Sequence, residues 1–126
     1  MYHWKMSSQN LPLKFTWKIS RGQSSEKQIN LLHFDKDGMQ TIGEMAGITA
    51  DAHKLNKVID DFEKIKTKDF NNWESLQNLK IPTHLMFAMS SAFTHWQAIK
   101  NNQSLSAELG LKDVTPVESS FSMPIL

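Results

Sequence analysis

The clearest order in the chain lies in the spacing of its apolar residues. Leu13, Phe15, Trp17 and Ile19 alternate with Lys14, Thr16 and Lys18, the period of two expected of a half-buried strand. The polar stretch Ser20–Lys27, which holds Gly22, reads as a connecting loop. Gln28–Phe34 (QINLLHF) then predicts a return strand, more apolar than the first and therefore more covered. Asp35-Lys36-Asp37-Gly38 has the composition of a turn, because Asp accepts local backbone hydrogen bonds and Gly admits positive φ. The expected role of that turn is to lead from strand to helix. Two strands alone are marginal in water, so the hairpin requires packed helices, a further strand or a second copy of the chain. Both ends of the chain offer a strand. Tyr2, Trp4 and Met6 alternate with His3 and Lys5, and Phe121, Met123 and Ile125 alternate with Ser122 and Pro124. Pro124 would confine the latter segment to a sheet edge, since it cannot donate to the ladder.

From Thr41 onward the pattern turns helical. Thr41-Ile42-Gly43-Glu44 has the form of a capping box, and Gly47 suits the end of a short helix. Thr49 is a good N-cap for a long helix running to about Lys66, with Ala52, Leu55, Val58, Ile59, Phe62 and Ile65 on one face. Asp51 at its front and Lys64 and Lys66 at its rear suit the helix dipole. A shorter helix around Asn72–Leu79 carries Trp73, Leu76 and Leu79 on one side and is broken by Ile81-Pro82. Thr83 is placed to cap the next helix, which reaches about Lys100 with a stripe of Leu85, Met89, Phe93, Trp96 and Ile99. No charged residue falls between Ile81 and Ile99, so this helix belongs at the centre of the domain or in an interface. Its Ser, Thr and His residues and Gln97 are too many for a membrane span. A last turn over Ser104–Leu109 ends at Gly110. The expected architecture is one α+β domain over residues 1–114. An antiparallel β-hairpin, with a terminal strand available to extend it, packs on three to four helices, and an extended tail follows over 115–126.

Composition narrows the function classes. A chain of 126 residues suits one domain, and 40% hydrophobic with 21% charged residues is ordinary for a globular protein. The absence of Cys excludes a disulfide framework, a thiol nucleophile and a thiolate metal site. A formal charge of +1 supplies no bulk attraction to nucleic acid or to an anionic membrane. Arg21 is the sole arginine among 14 basic residues, so the planar fork that grips phosphate and guanine edges is nearly missing. Met1–Met6 lacks the form of a secretory leader, and a cytoplasmic location is the expectation.

The most specific local pattern is Ile42-Gly43-Glu44-Met45-Ala46-Gly47-Ile48-Thr49, which resembles the first helix and turn of a helix-turn-helix DNA-binding motif. The resemblance implies a recognition helix using Thr49, His53, Lys54 and Lys57 within segment 41–66. It then falters: His53 and Asn56 stand where that helix needs apolar residues. Asp51, Asp60 and Asp61 would also repel phosphate.

Catalytic patterns are missing. His84 and His95 share a helix face but lie about 16 Å apart at the helical rise, too far for one ion. A metal site could come only from distant residues such as His33, His53 and Asp35. An Asp35 calcium loop fails because its twelfth position is Ala46, not Glu. The five glycines show no phosphate-loop spacing, and no G-x-S-x-G elbow occurs. No catalytic residue, cofactor or metal is therefore expected. The preferred reading is a non-enzymatic accessory or adaptor protein that works through protein contacts and self-association. Its expected surfaces are the central helix (Phe87, Phe93, Trp96) and the tail (Phe121, Met123, Ile125). The alternative is a small DNA-binding regulator using segment 41–66.

Overall fold

The computed structural model describes residues 2–46, 52–68, 70, 72–112 and 115–120. Three strands come first: β1 (Tyr2–Ile19), β2 (Gly22–Lys36) and β3 (Met39–Met45), antiparallel in the order β1-β2-β3. Four helices follow: α1 (Ala52–Ile65), α2 (Trp73–Gln77), α3 (Thr83–Lys100) and α4 (Leu105–Glu108). The chain is thus an α+β fold, with helices on one face of a three-stranded sheet.

The sheet differs from the expected hairpin in three ways. The alternating segments around Trp4 and Trp17 belong to one long strand, β1, whose pairing with β2 shifts register between Pro12 and Trp17. Pro12 cannot donate to the ladder, and an edge strand is where it is tolerated. The supposed loop Ser20–Lys27 shrinks to Ser20 and Arg21, because Ile19 stands opposite Gly22 and the remaining polar residues continue β2. The largest correction concerns Thr41–Met45, which form β3 and not a helix. Asp37 (φ 54°) and Gly38 (φ 74°) make a two-residue hairpin turn between Lys36 and Met39, so the turn joins strand to strand.

The inward residues of β3 explain why it escaped the hydrophobic pattern. Met39, Thr41, Gly43 and Met45 face the helices, while apolar Ile42 faces solvent at 48% exposure. A Cβ on Gly43 would stand 1.9 Å from the carbonyl oxygen of Ala88, so strand and α3 meet backbone to backbone. Two residues away, the Thr41 hydroxyl donates to the Ala92 carbonyl at 2.7 Å. Only small inward side chains fit that approach, and the usual apolar alternation is lost.

The helices follow the sequence more closely. In α1, Val58, Phe62 and Ile65 are buried and Leu55 partly so, but Ile59 is exposed. Gly47, Thr49 and Asp51, to which a helix stop, a cap and a dipole partner were assigned, lie outside the described residues. The Asn72 side chain caps α2 by accepting from the Ser75 amide at 2.9 Å. Helix α3 occupies the centre as its charge-free run predicts: Leu85, Ala88, Met89, Ala92 and Phe93 have no exposure. Its N-cap is Pro82 rather than Thr83, with no side-chain cap. Ser104 caps α4, and Gly110 (φ 75°) follows it.

Aromatic rings tie the two layers together. Trp4 stacks on Phe34 at 4.3 Å between centroids, and Phe34 in turn meets Phe93 at 5.9 Å and Trp96 at 5.7 Å. The Trp96 indole N–H donates to the Lys36 carbonyl at 3.0 Å, anchoring the end of α3 to the end of β2. Residues 115–120 are exposed and without regular structure. No helix among the described residues is long and apolar enough to cross a membrane.

Candidate functional site

The helical layer covers only part of the sheet. On β2, Asn30, Leu32 and Phe34 are buried, whereas Gly22–Gln28 is exposed throughout. On β1 the exposed run extends from Ser8 to Lys18. The distal halves of β1 and β2 therefore project past the helices as a two-stranded ribbon closed at Ser20–Arg21. Such a ribbon has little stability of its own in water.

This ribbon carries apolar residues that the fold leaves open. Leu11, Leu13, Phe15 and Trp17 are 43%, 37%, 46% and 39% exposed. Their partner strand reads GQSSEKQ and has no apolar side chain to cover them. Trp17 stands opposite Ser24, which shares the parity of Leu32 and Phe34 on β2 and so faces the same side as the helices. Lys14 lies over the Phe15 ring at 5.7 Å. Aromatic and aliphatic side chains of this size leave roughly 300 Å² of apolar surface open here, about 8 kcal/mol of gross burial energy before association costs. Leu11 stands opposite Lys27, of the other parity, so these residues are spread over both faces of the ribbon. Large apolar side chains left open on a projecting element mark a candidate contact surface.

Reactive side chains are scattered by comparison. Among the described residues, no three His, Asp or Glu side chains come together to hold a metal ion. His33 shares a 2.7 Å hydrogen bond with the Ser7 hydroxyl, while His53, His84 and His95 are exposed on two helices. Asp61 is the one described group with a displaced pKa. A hydrogen bond from Lys57 holds its carboxyl below the usual range against the opposing effect of desolvation, with Lys64 adding to the lowering. Both lysines lie within ion-pair distance of it, at 3.2 and 3.5 Å.

The structure separates the residues that the sequence grouped. On α3, Phe87 is 61% exposed, but Phe93 (0%) and Trp96 (3%) are interior and present no surface, because α3 packs both of them against Phe34. Phe121, Met123 and Ile125 lie outside the described residues, as does Thr49. His53, Lys54 and Lys57 are exposed on α1. The helix that should precede them in a helix-turn-helix is strand β3, because its inward side chains meet α3 at backbone distance. The projecting ribbon escaped sequence reading because its period of two implied a covered face. The warning was the purely polar strand opposite.

No protein-family model matches the chain, and no curated protein matches it in sequence. Its fold does resemble solved structures. One is an enolase family member from Agrobacterium tumefaciens with homology to dipeptide epimerases, solved with sodium and L-Ala-L-Glu bound. It matches with a TM-score of 0.70 and 14% identity over 89% of this chain and 35% of that one. Another is a probable mandelate racemase from Alicyclobacillus acidocaldarius, at TM-score 0.63 and 22% identity over 86% of this chain and 33% of that one. The likeness establishes the fold, and the chain spans about a third of the length of either structure.

Proposed function

We propose that this chain is a non-catalytic contact domain, which works by seating the β1–β2 ribbon on a protein body. The observation that carries the reading is the exposed apolar set Leu11, Leu13, Phe15 and Trp17, spread over both faces of the projecting ribbon. The likeness to enolase-family structures supports it from a second direction: nearly the whole chain matches only a third of those proteins. In a comparable assembly, epimerase or racemase chemistry would be carried by the other two thirds, and this fold unit would supply contact. In the chain by itself, the body that the ribbon seats on is a second copy. A cytoplasmic setting is part of the reading, and a chain without cysteine is compatible with it.

Two measurements on the 126-residue chain test this. Sedimentation equilibrium should show reversible association at about 10–100 μM, and Phe15→Ser with Trp17→Ser should sediment as a monomer with unchanged far-UV circular dichroism. A strictly monomeric wild type overturns the contact reading. In D2O with L-Ala-L-Glu and sodium, the α-proton signals of the dipeptide should persist; catalytic exchange of either proton would show that the chain is an enzyme in its own right.

A further inference from the structure

A second surface, remote from the ribbon in sequence, lies where α2 and α4 flank α3. Two cavities there share Trp73, Thr94 and Leu109 as common walls. The first, about 310 Å³, is apolar and bounded by Trp73, Phe87, Leu105 and Leu109. The second, about 460 Å³, has a mixed lining and adds Asn72, Glu74, Gln97 and Glu108. Together they form one groove with an apolar end and an acidic end.

Three properties of this groove have no use inside the fold. Phe87, Leu105 and Leu109 are 61%, 47% and 58% exposed, although they converge on one hollow. Thr94 lies at the junction of the two cavities, where its hydroxyl has no protein partner among the described residues and still reaches solvent. A polar group arriving in the groove can take the place of solvent at that hydroxyl. Glu74 and Glu108 have no ion pair among the described residues. Glu108 receives only the Asn101 side-chain amide, at 3.2 and 3.4 Å. Two carboxylates beside a half-enclosed apolar wall attract a cation more strongly than they would in open water.

We propose that this groove docks a segment of a partner protein that presents one bulky apolar side chain with a lysine or arginine beside it. The apolar residue fills the hollow between Trp73, Phe87, Leu105 and Leu109, the cation lies between Glu74 and Glu108, and the segment hydrogen-bonds to Thr94. A second copy pairing isologously through this face is the poorer occupant, because it would bring both copies' Glu74 and Glu108 into one interface whose lining holds no lysine or arginine. Residues 115–126 of the same chain are also wrong in charge, since they contain Glu118 and neither lysine nor arginine.

The test is a titration of the 15N-labelled 126-residue chain with four probes: the peptides acetyl-ALKALK-amide, acetyl-ALEALE-amide and acetyl-AAKAAK-amide, and hexylamine. The lysine–leucine peptide should shift the amides of Trp73, Phe87, Thr94 and Leu109 saturably by about 1 mM, and each other probe should bind at least tenfold more weakly. Glu74→Gln with Glu108→Gln should weaken that peptide at least tenfold, as should Phe87→Ser, and Thr94→Val should weaken it about threefold. Trp17→Ser should leave it unchanged, so a failure of the ribbon reading is distinguishable from a failure here. Equal binding of the glutamate peptide, equal binding of hexylamine, shifts confined to the ribbon, or no shift at all would each overturn the proposal. Concentration-dependent shifts of the same amides without any probe would assign the groove to a second copy and overturn it as well.

Discussion

Gly43→Ala is the sharpest perturbation of this fold. The added methyl carbon would stand 1.9 Å from the Ala88 carbonyl oxygen, 2.7 Å from its carbonyl carbon and 3.1 Å from its Cα. A carbon–oxygen contact needs about 3.3 Å, so β3 and α3 must separate by about 1.4 Å. The obstacle is backbone, and no side-chain rotation relieves it. Ala88 and Met89 have no exposure, and separation also strains the 2.7 Å hydrogen bond from Thr41 to the Ala92 carbonyl. Overpacking of this kind costs up to about 3 kcal/mol and the hydrogen bond about 1 kcal/mol, against a gain of about 1 kcal/mol for replacing a strand glycine. A net loss of about 3 kcal/mol is expected, a large part of the usual stability of a small domain. Urea unfolding followed by tryptophan fluorescence should move its midpoint down by about 1–2 M. Adding Ala88→Gly should not restore stability, because the clash is with the Ala88 carbonyl and not its methyl. A loss below about 1 kcal/mol, or rescue by Ala88→Gly, would refute the backbone contact.

Other expectations follow from single contacts. Trp96 and Trp4 are both buried, but Trp96 donates to the Lys36 carbonyl while the Trp4 indole N–H has no partner among the described residues. Trp96→Phe should therefore destabilise the chain by about 1 kcal/mol more than Trp4→Phe in the same urea assay; the reverse order would contradict the assignment. Gly38→Ala meets no neighbour within 4 Å but must hold φ at 74°, and should cost about 1–2 kcal/mol from backbone strain alone. Asp61 titrates below the ordinary carboxylate range, chiefly through its hydrogen bond from Lys57. A lowered folded-state pKa contributes stability above the unfolded value and loses it as pH falls through the folded one, so acid should loosen this end of α1. Lys57→Met should raise the Asp61 pKa toward the ordinary value in an NMR titration; no change would remove Lys57 as the cause.

How far the fold was legible varied with the kind of signal. Helices α1 to α3 were readable because spacing by threes and fours and the charge-free run of α3 agree with burial, while the caps at Asn72 and Ser104 were supplied by the structure. Strand β3 was misread although Asp37-Gly38, between apolar-patterned segments, is a strong hairpin signal. Thr41 and Glu44 mimicked a capping box, and Gly43, read as part of a short helix, serves the crossing of a strand and a helix. The candidate contact surface was half visible: Leu13, Phe15 and Trp17 were seen to alternate, but their exposure could not be read from their own spacing.

The sequence by itself determined the α+β class, the positions of α1 to α3, the central burial of α3 and the lack of a cysteine or of phosphate-loop spacing. These follow from local periodicity and residue type, which need no knowledge of neighbours. Tertiary structure alone decided which apolar residues remain open. Phe93 and Trp96 disappear against Phe34, Phe87 stays outside on the same helix, and Leu11 to Trp17 overhang because the helical layer ends before the sheet does. Burial depends on what packs opposite, and for those residues the opposing element lies tens of positions away in the chain.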